Sequence, residues 1–162
     1  MLVLTQRIAG SNWDVELPLL FEQRQKGRFR TRLPDGEEVA WFLERGQPLR
    51  EGECLQAEDG RVARIVALPE KLLHVTCKTA TDLARAAYHL GNRHVALQVG
   101  NGWLRLPEDY VLRQMLEQMG AQVGQIEAPF DPETGAYGAH HHDGNELGHR
   151  GIIHQFGGPA KR

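Results

Sequence analysis

The chain has 162 residues, of which 41% are hydrophobic and 25% charged, and its net charge is −2 with the histidines neutral. That length suits one domain or two small ones, and the composition is that of an ordinary globular chain. So even a balance gives no electrostatic reason to expect nucleic acid or a membrane as an obligatory partner, and the start of the chain, Met1 to Arg7, lacks the apolar stretch of a signal peptide.

Residues 1 to about 66 read as short strands separated by turns. Arg28-Phe29-Arg30-Thr31-Arg32-Leu33 alternates and puts three arginines on one face. Pro34-Asp35-Gly36 is a turn signal, and the apolar run Val39 to Leu43 follows it. Gly46, Gly52 and Asp59-Gly60 punctuate further strands up to Val62–Val66. No helical period holds over ten residues, so this part is expected to be a small all-β domain.

The pattern changes near Ala67-Leu68-Pro69-Glu70. Leu72 to Cys77 reads as a strand. Thr79 then caps a helix, with Asp82 three residues on and Leu83, Ala86, Ala87 and Leu90 at helical spacing before Gly91. Val95–Val99 is the next strand, Asn101-Gly102 a hairpin turn and Trp103–Leu106 its partner. Pro107 is expected to open a second helix, with Leu112, Met115, Leu116 and Met119 on one face and Gly120 at its end. Gln122 to Ala128 supplies a last strand. The order βαββαβ is the ferredoxin-like split unit. After Phe130 the apolar pattern stops, and Gly, His and Pro dominate a segment expected to be disordered or ordered only by metal. The fold class is thus α+β. Residues 1–68 form a β-rich domain, 69–130 a ferredoxin-like domain and 131–162 a flexible histidine-rich tail.

Histidine is unevenly placed. Five of the eight, His140, His141, His142, His149 and His154, fall in the last 23 residues, whereas the body holds only His74, His89 and His94. Imidazole suits zinc, copper and nickel, so the tail is a candidate metal-binding segment; the plainer alternative is a solubilising tail. His94 closes the turn Gly91-Asn92-Arg93-His94, where element ends present functional groups, although a single histidine can equally be tied to backbone. The basic series Arg24, Lys26, Arg28, Arg30, Arg32 could meet an acidic partner or a phosphate, or simply be the solvated face of a strand. Cys54 and Cys77 lack CxxC spacing and are expected to pack as small hydrophobes. No apolar run reaches the roughly 18 residues of a membrane span, and the expected address is the cytoplasm.

Ala87-Tyr88-His89-Leu90-Gly91-Asn92-Arg93-His94-Val95-Ala96-Leu97-Gln98 resembles the signature block of the UreE family. Asp109 to Leu116 resembles that family's second helix. Phe130-Asp131-Pro132-Glu133-Thr134-Gly135-Ala136-Tyr137-Gly138 resembles its segment before the tail, and Arg45-Gly46, Leu49, Gly52 to Leu55 and Asp59-Gly60 fit its first domain. The resemblance implies a first domain that contacts partners and a ferredoxin-like domain that binds metal and dimerises. It implies a homodimer in which His94 of both subunits holds Ni²⁺, helped by His140, His141, His142, His149 and His154 of the tail. It also implies a chaperone, not an enzyme, that delivers nickel to the urease apoprotein and its accessory proteins, including the GTPase UreG. Some members carry extra histidines before the second helix; here the stretch reads Pro107-Glu108-Asp109-Tyr110, so Glu108 or Asp109 could at most add an oxygen ligand.

Rival readings differ in class. An RNA-binding module would use the same βαββαβ scaffold, but it stacks bases on aromatics of its central strands, and here those strands hold only Trp103. A metal-dependent enzyme needs about three fixed ligands and a base in a cleft, which one body histidine and a tail supply poorly. A general store or buffer for zinc, copper or nickel stays open, because Zn²⁺ or Cu²⁺ would also occupy such imidazoles.

Overall fold

The computed structural model describes residues 1–134 apart from Ser11 and Arg45. The expected tail therefore lies outside the described residues beyond Thr134, and with it His140, His141, His142, His149 and His154.

The described residues make two sheets. The first holds β1 (Leu2–Ile8), β2 (Val15–Leu19), β3 (Arg28–Arg32), β4 (Glu38–Phe42), β5 (Cys54–Ala57) and β6 (Val62–Ala67), in the order β2-β6-β5-β1-β4-β3. A four-residue helix, α1 (Phe21–Arg24), joins β2 to β3. It is too short to leave a periodic signature in the sequence. Alternation builds the core. In β6, Ala63, Ile65 and Ala67 are buried between half-exposed neighbours, and Ala63 and Ile65 pack with Leu2, Leu4, Leu17, Leu19, Val39, Trp41 and Leu55. Trp41 is fully buried and its indole donates to the Lys26 carbonyl at 2.6 Å, which satisfies its one polar atom. Gly36 and Gly60 take positive φ in the expected turns.

The second sheet holds β7 (Pro69–Thr76), β8 (Gln98–Gly100), β9 (Trp103–Pro107) and β10 (Gln122–Pro129), in the order β10-β7-β9-β8 with every neighbouring pair antiparallel. Helix α2 (Ala80–Gly91) connects β7 to β8, and α3 (Tyr110–Gln118) connects β9 to β10. This is the ferredoxin-like βαββαβ arrangement. The inward row Leu73, Val75, Leu104 and Leu106 packs with Ala86, Leu90 and Leu116, so both helices cover one face. The Thr79 hydroxyl accepts from the Asp82 amide at 3.1 Å and caps α2 as expected.

Three local expectations change. Pro107 does not open a helix: it ends β9, paired with Leu72, and the N-cap is Asp109, whose side chain accepts from the Leu112 amide at 2.9 Å. The strand expected at Val95–Val99 shrinks to Gln98–Gly100, because the chain first unwinds from α2 through a turn ending at His94. The basic series also divides. Arg28, Arg30 and Arg32 are exposed on edge strand β3, with Arg30 and Arg32 sharing Glu38, whereas Arg24 belongs to α1 and is buried.

A third apolar cluster joins the two sheets. Phe21 of α1 meets Phe130 edge-on at 5.2 Å, and both pack with Leu72 of β7. The Phe21 amide donates to Glu70 at 2.6 Å.

Candidate metal site

His94 stands where α2 gives way to β8. The amides of Asn92 and Arg93 turn back to the carbonyls of Tyr88 and Leu90, and the His94 amide donates to Gly91 at 3.0 Å. This closing turn forces His94 to φ 55°, the one positive value at a non-glycine position among the described residues. Glycine is the residue that usually ends a helix in this way, because a Cβ there crowds the backbone. A histidine held in that conformation and exposed to solvent is a local cost of the kind that collects at functional positions.

The topology fixes what surrounds it. Strand β7 runs from Pro69 to Thr76 and α2 runs back, so α2 ends level with the start of β7. Strand β9 ends at Pro107, opposite Leu72, and α3 starts from that same end. The His94 turn and the first turn of α3 therefore share one end of the helical layer. Tyr88, Tyr110 and Val111 are exposed on these helices, at 66%, 71% and 71%, which is far more than their apolar character would favour in an isolated chain. Glu108 and Asp109 lie at the same end but are engaged: Glu108 accepts from Gln125, and Asp109 caps α3.

The other body histidines are placed differently. His89 is exposed on the last turn of α2, its ring edge-on to Tyr88 at 5.4 Å. His74 lies on the sheet face away from the helices. Its Nδ1 accepts from Arg105 Nε at 3.3 Å and its ring is 5.5 Å from that of Trp103. Burial, reinforced by the Arg105 charge, pushes the His74 pKa below its ordinary 6.5. Cys54 is buried. Cys77 is half-buried against the helical layer, and burial followed by the charge of Asp82 raises its thiol pKa above 9.0, which keeps it a protonated, poor ligand. Among the described residues no group of three or more His, Cys, Asp or Glu side chains converges on a point. His94 therefore belongs to no such group among the described residues.

The segment after β10 was not singled out from its sequence as a fixed element. From Pro129, paired with Pro69 on the outer strand β10, the chain crosses to the opposite edge of the sheet. There the Asp131 amide donates to Gln98 Oε1 at 3.4 Å and the Glu133 amide to the Leu97 carbonyl at 2.8 Å. Asp131, assigned to the flexible tail from sequence, also meets Arg50 at 2.7 Å. Leu97 is three residues from His94, so their Cα atoms are at most about 11 Å apart. The described chain thus ends close to the His94 turn. The signal available in sequence was Phe130, an apolar residue stranded beyond the last strand; its burial is what draws the segment inward.

A mixed six-stranded sheet and an antiparallel four-stranded one, with an exposed left-handed histidine at a helix end and the end of the described residues beside it, make an α+β protein. The known proteins it resembles agree on a family. Residues 3–68 match the N-terminal domain model of the UreE urease accessory protein and residues 70–156 the C-terminal domain model. The urease accessory protein UreE of Pseudomonas fluorescens strain Pf0-1 is 60% identical, with 97% of this chain and 98% of the relative covered. That of strain SBW25 is 61% identical and that of Azotobacter vinelandii 55%, both with the same coverage. The chain belongs to the UreE urease accessory protein family. No helix among the described residues is long and apolar enough to cross a membrane.

Proposed function

We propose that this protein is a cytoplasmic nickel metallochaperone and not an enzyme. It acts as a homodimer that holds Ni²⁺ through His94 of each subunit and the tail histidines, and passes it to the urease apoprotein together with accessory proteins including the GTPase UreG. The observation that carries this reading is the exposed left-handed His94 beside the point where the chain leads into its histidine-rich segment. His140 is seven residues beyond Glu133, a reach of up to about 25 Å in extended chain, so tail imidazoles can meet a metal on His94.

The chemistry suits a carrier. One donor per subunit becomes two by a two-fold axis, and a two-fold pairing would also cover Tyr88, Tyr110 and Val111. Ligands on a tail complete the metal's shell and detach one at a time, whereas a closed rigid cage would retain its cargo. Every ligating imidazole must be neutral, so acid should release the metal. Zn²⁺ and Cu²⁺ compete for the same donors, and selectivity in the cell then rests on metal supply and on the partners.

The test is metal transfer. Nickel-loaded protein, mixed with urease apoprotein and the other accessory proteins under a chelator that removes free nickel, is expected to raise urease activity. His94→Ala loaded in the same way is expected to give less than a tenth of that gain. Equal activation by the two proteins would contradict the carrier role of His94.

A further inference from the structure

We propose that the open edge of β3 is a docking site for an extended acidic segment of a partner protein, which adds to the first sheet as one further strand and sets a carboxylate opposite each of Arg28, Arg30 and Arg32. The inference stands apart from the metal reading, since none of these residues belongs to the His94 turn. Strand β3 ends its sheet and pairs only with β4. The pairing is regular from Arg28 opposite Phe42 to Arg32 opposite Glu38. Just beyond its two ends, the Leu43 amide donates to the Gly27 carbonyl at 2.7 Å and the Leu33 amide to the Glu37 carbonyl at 2.8 Å. Bonded pairs alternate along an antiparallel ladder, so Phe29 and Thr31 also turn their backbone groups to β4. The N–H and C=O groups of Arg28, Arg30 and Arg32 therefore point off the sheet, and no backbone partner meets them among the described residues.

The same three residues project their side chains to one face of the sheet, and all three are exposed. Arg30 and Arg32 share the carboxylate of Glu38, whereas Arg28 has no ion pair among the described residues. Opposite Arg28, the Phe42 ring is 53% exposed. The edge thus offers free backbone groups, more guanidiniums than carboxylates and a bare aromatic ring. The other end of this sheet is blunted: β2 contains Pro18, which has no amide to give. Strand β3 has neither a proline nor a shift in its register.

The charge selects the occupant. Charged side chains on an edge ordinarily keep other strands away. Against a second copy of this chain that protection is built into the register. In an antiparallel addition, residues that face the open edge pair with residues that face the open edge, so two β3 strands would set arginine against arginine. Like charges directly opposite destabilise a pair. By the same rule, a strand with carboxylates at alternate positions places each of them opposite a guanidinium, whose planar fork matches a carboxylate. Backbone bonds then supply the binding, and the alternate side chains supply the choice of partner.

The experiment titrates the full chain with capped synthetic peptides of about seven residues, a common strand length. The first alternates glutamate with threonine. A second has the same composition with its glutamates clustered, and a third carries lysine in place of glutamate. Two more are the first peptide with N-methyl groups on the glutamate amides or on the threonine amides. The first peptide is expected to protect the Arg28, Arg30 and Arg32 amides from hydrogen exchange and to leave Phe29 and Thr31, already bonded to β4, unchanged. Methylated glutamate amides, which face β3 in the proposed register, should weaken binding by about tenfold or more, whereas methylated threonine amides should be tolerated. The clustered and lysine peptides should bind more weakly than the first. Arg28→Ala, which breaks no ion pair among the described residues, should weaken the first peptide by roughly one-and-a-half-fold to fivefold. Equal binding of the alternating and clustered peptides, or indifference to methylation of the glutamate amides, would mean diffuse attraction and overturn the proposal. Failure of the alternating peptide to protect the three arginine amides would overturn it as well.

Discussion

His94 occupies a backbone conformation that glycine would take without crowding. A left-handed L-residue costs about 1–2 kcal/mol, partly offset in a glycine variant by the extra freedom glycine has when unfolded. His94→Gly is therefore expected to keep or raise the stability of the metal-free protein, by up to about 1 kcal/mol in denaturant melts, while losing nickel affinity. A clear destabilisation would show that the side chain serves the fold. The place of this residue at a helix end was legible in the sequence, but its left-handed backbone was not, since φ depends on how the turn closes. His74 shows the reverse. Nothing in the sequence separates it from a ligand, yet its contact with Arg105 and its partial burial favour the neutral ring. The sign follows: with the folded pKa below 6.5, the unfolded chain takes up the proton first, so stability is full above pH 6.5 and declines as pH falls toward the folded value. The arginine-paired carboxylates Glu37, Glu38 and Asp59, whose pKa values are held below 4.5, 4.5 and 3.8, act only in more acid solution. Metal-free His74→Gln should accordingly lose less stability than wild type between pH 6.5 and 5. Parallel pH profiles for the two proteins would contradict this.

At the scale of elements, alternation and capping carried most of the reading. Most strands, the Thr79 cap and the Asn101-Gly102 hairpin follow from local chemistry, and the structure keeps them, with the strand expected at Val95–Val99 cut to Gln98–Gly100. The misplaced start of α3 has a physical reason: proline suits the first turn of a helix, but here Pro107 stays paired with Leu72 and Asp109 offers the better cap two residues later. Asp109→Ala should cost about 1 kcal/mol, measured by thermal melting. The β8–β9 hairpin depends on a close approach that no sequence rule announces. The Trp103 indole lies over Gly100, where a Cβ would fall 2.0 Å from its ring. Gly100→Ala must push the ring aside, and is expected to cost about 1–3 kcal/mol and to shift tryptophan emission to the red. An unchanged emission spectrum would mean that the ring is not held there.

Across the whole molecule, the two-sheet plan was readable because the hydrophobic period changes near Leu68. The join between the sheets was not, because it depends on single residues with no period: Phe21, Arg24, Arg50, Phe130 and Asp131. Arg24 reads from sequence as part of a basic stripe and Asp131 as the start of a tail, yet with Phe21, Arg50 and Phe130 they bring the end of the described chain to the His94 turn. That convergence gives the proposed carrier its shape, with a fixed donor on the body and further donors within reach. The most direct measurement is a calorimetric nickel titration of the intact chain, of His94→Ala and of the chain lacking residues 138–162. The intact chain should bind most metal and bind it tightest. His94→Ala should lose the tightest site, and the shortened chain should keep a weaker site and bind fewer ions, with its metal-free melting temperature unchanged. A tightest site of unaltered affinity in His94→Ala would contradict the account.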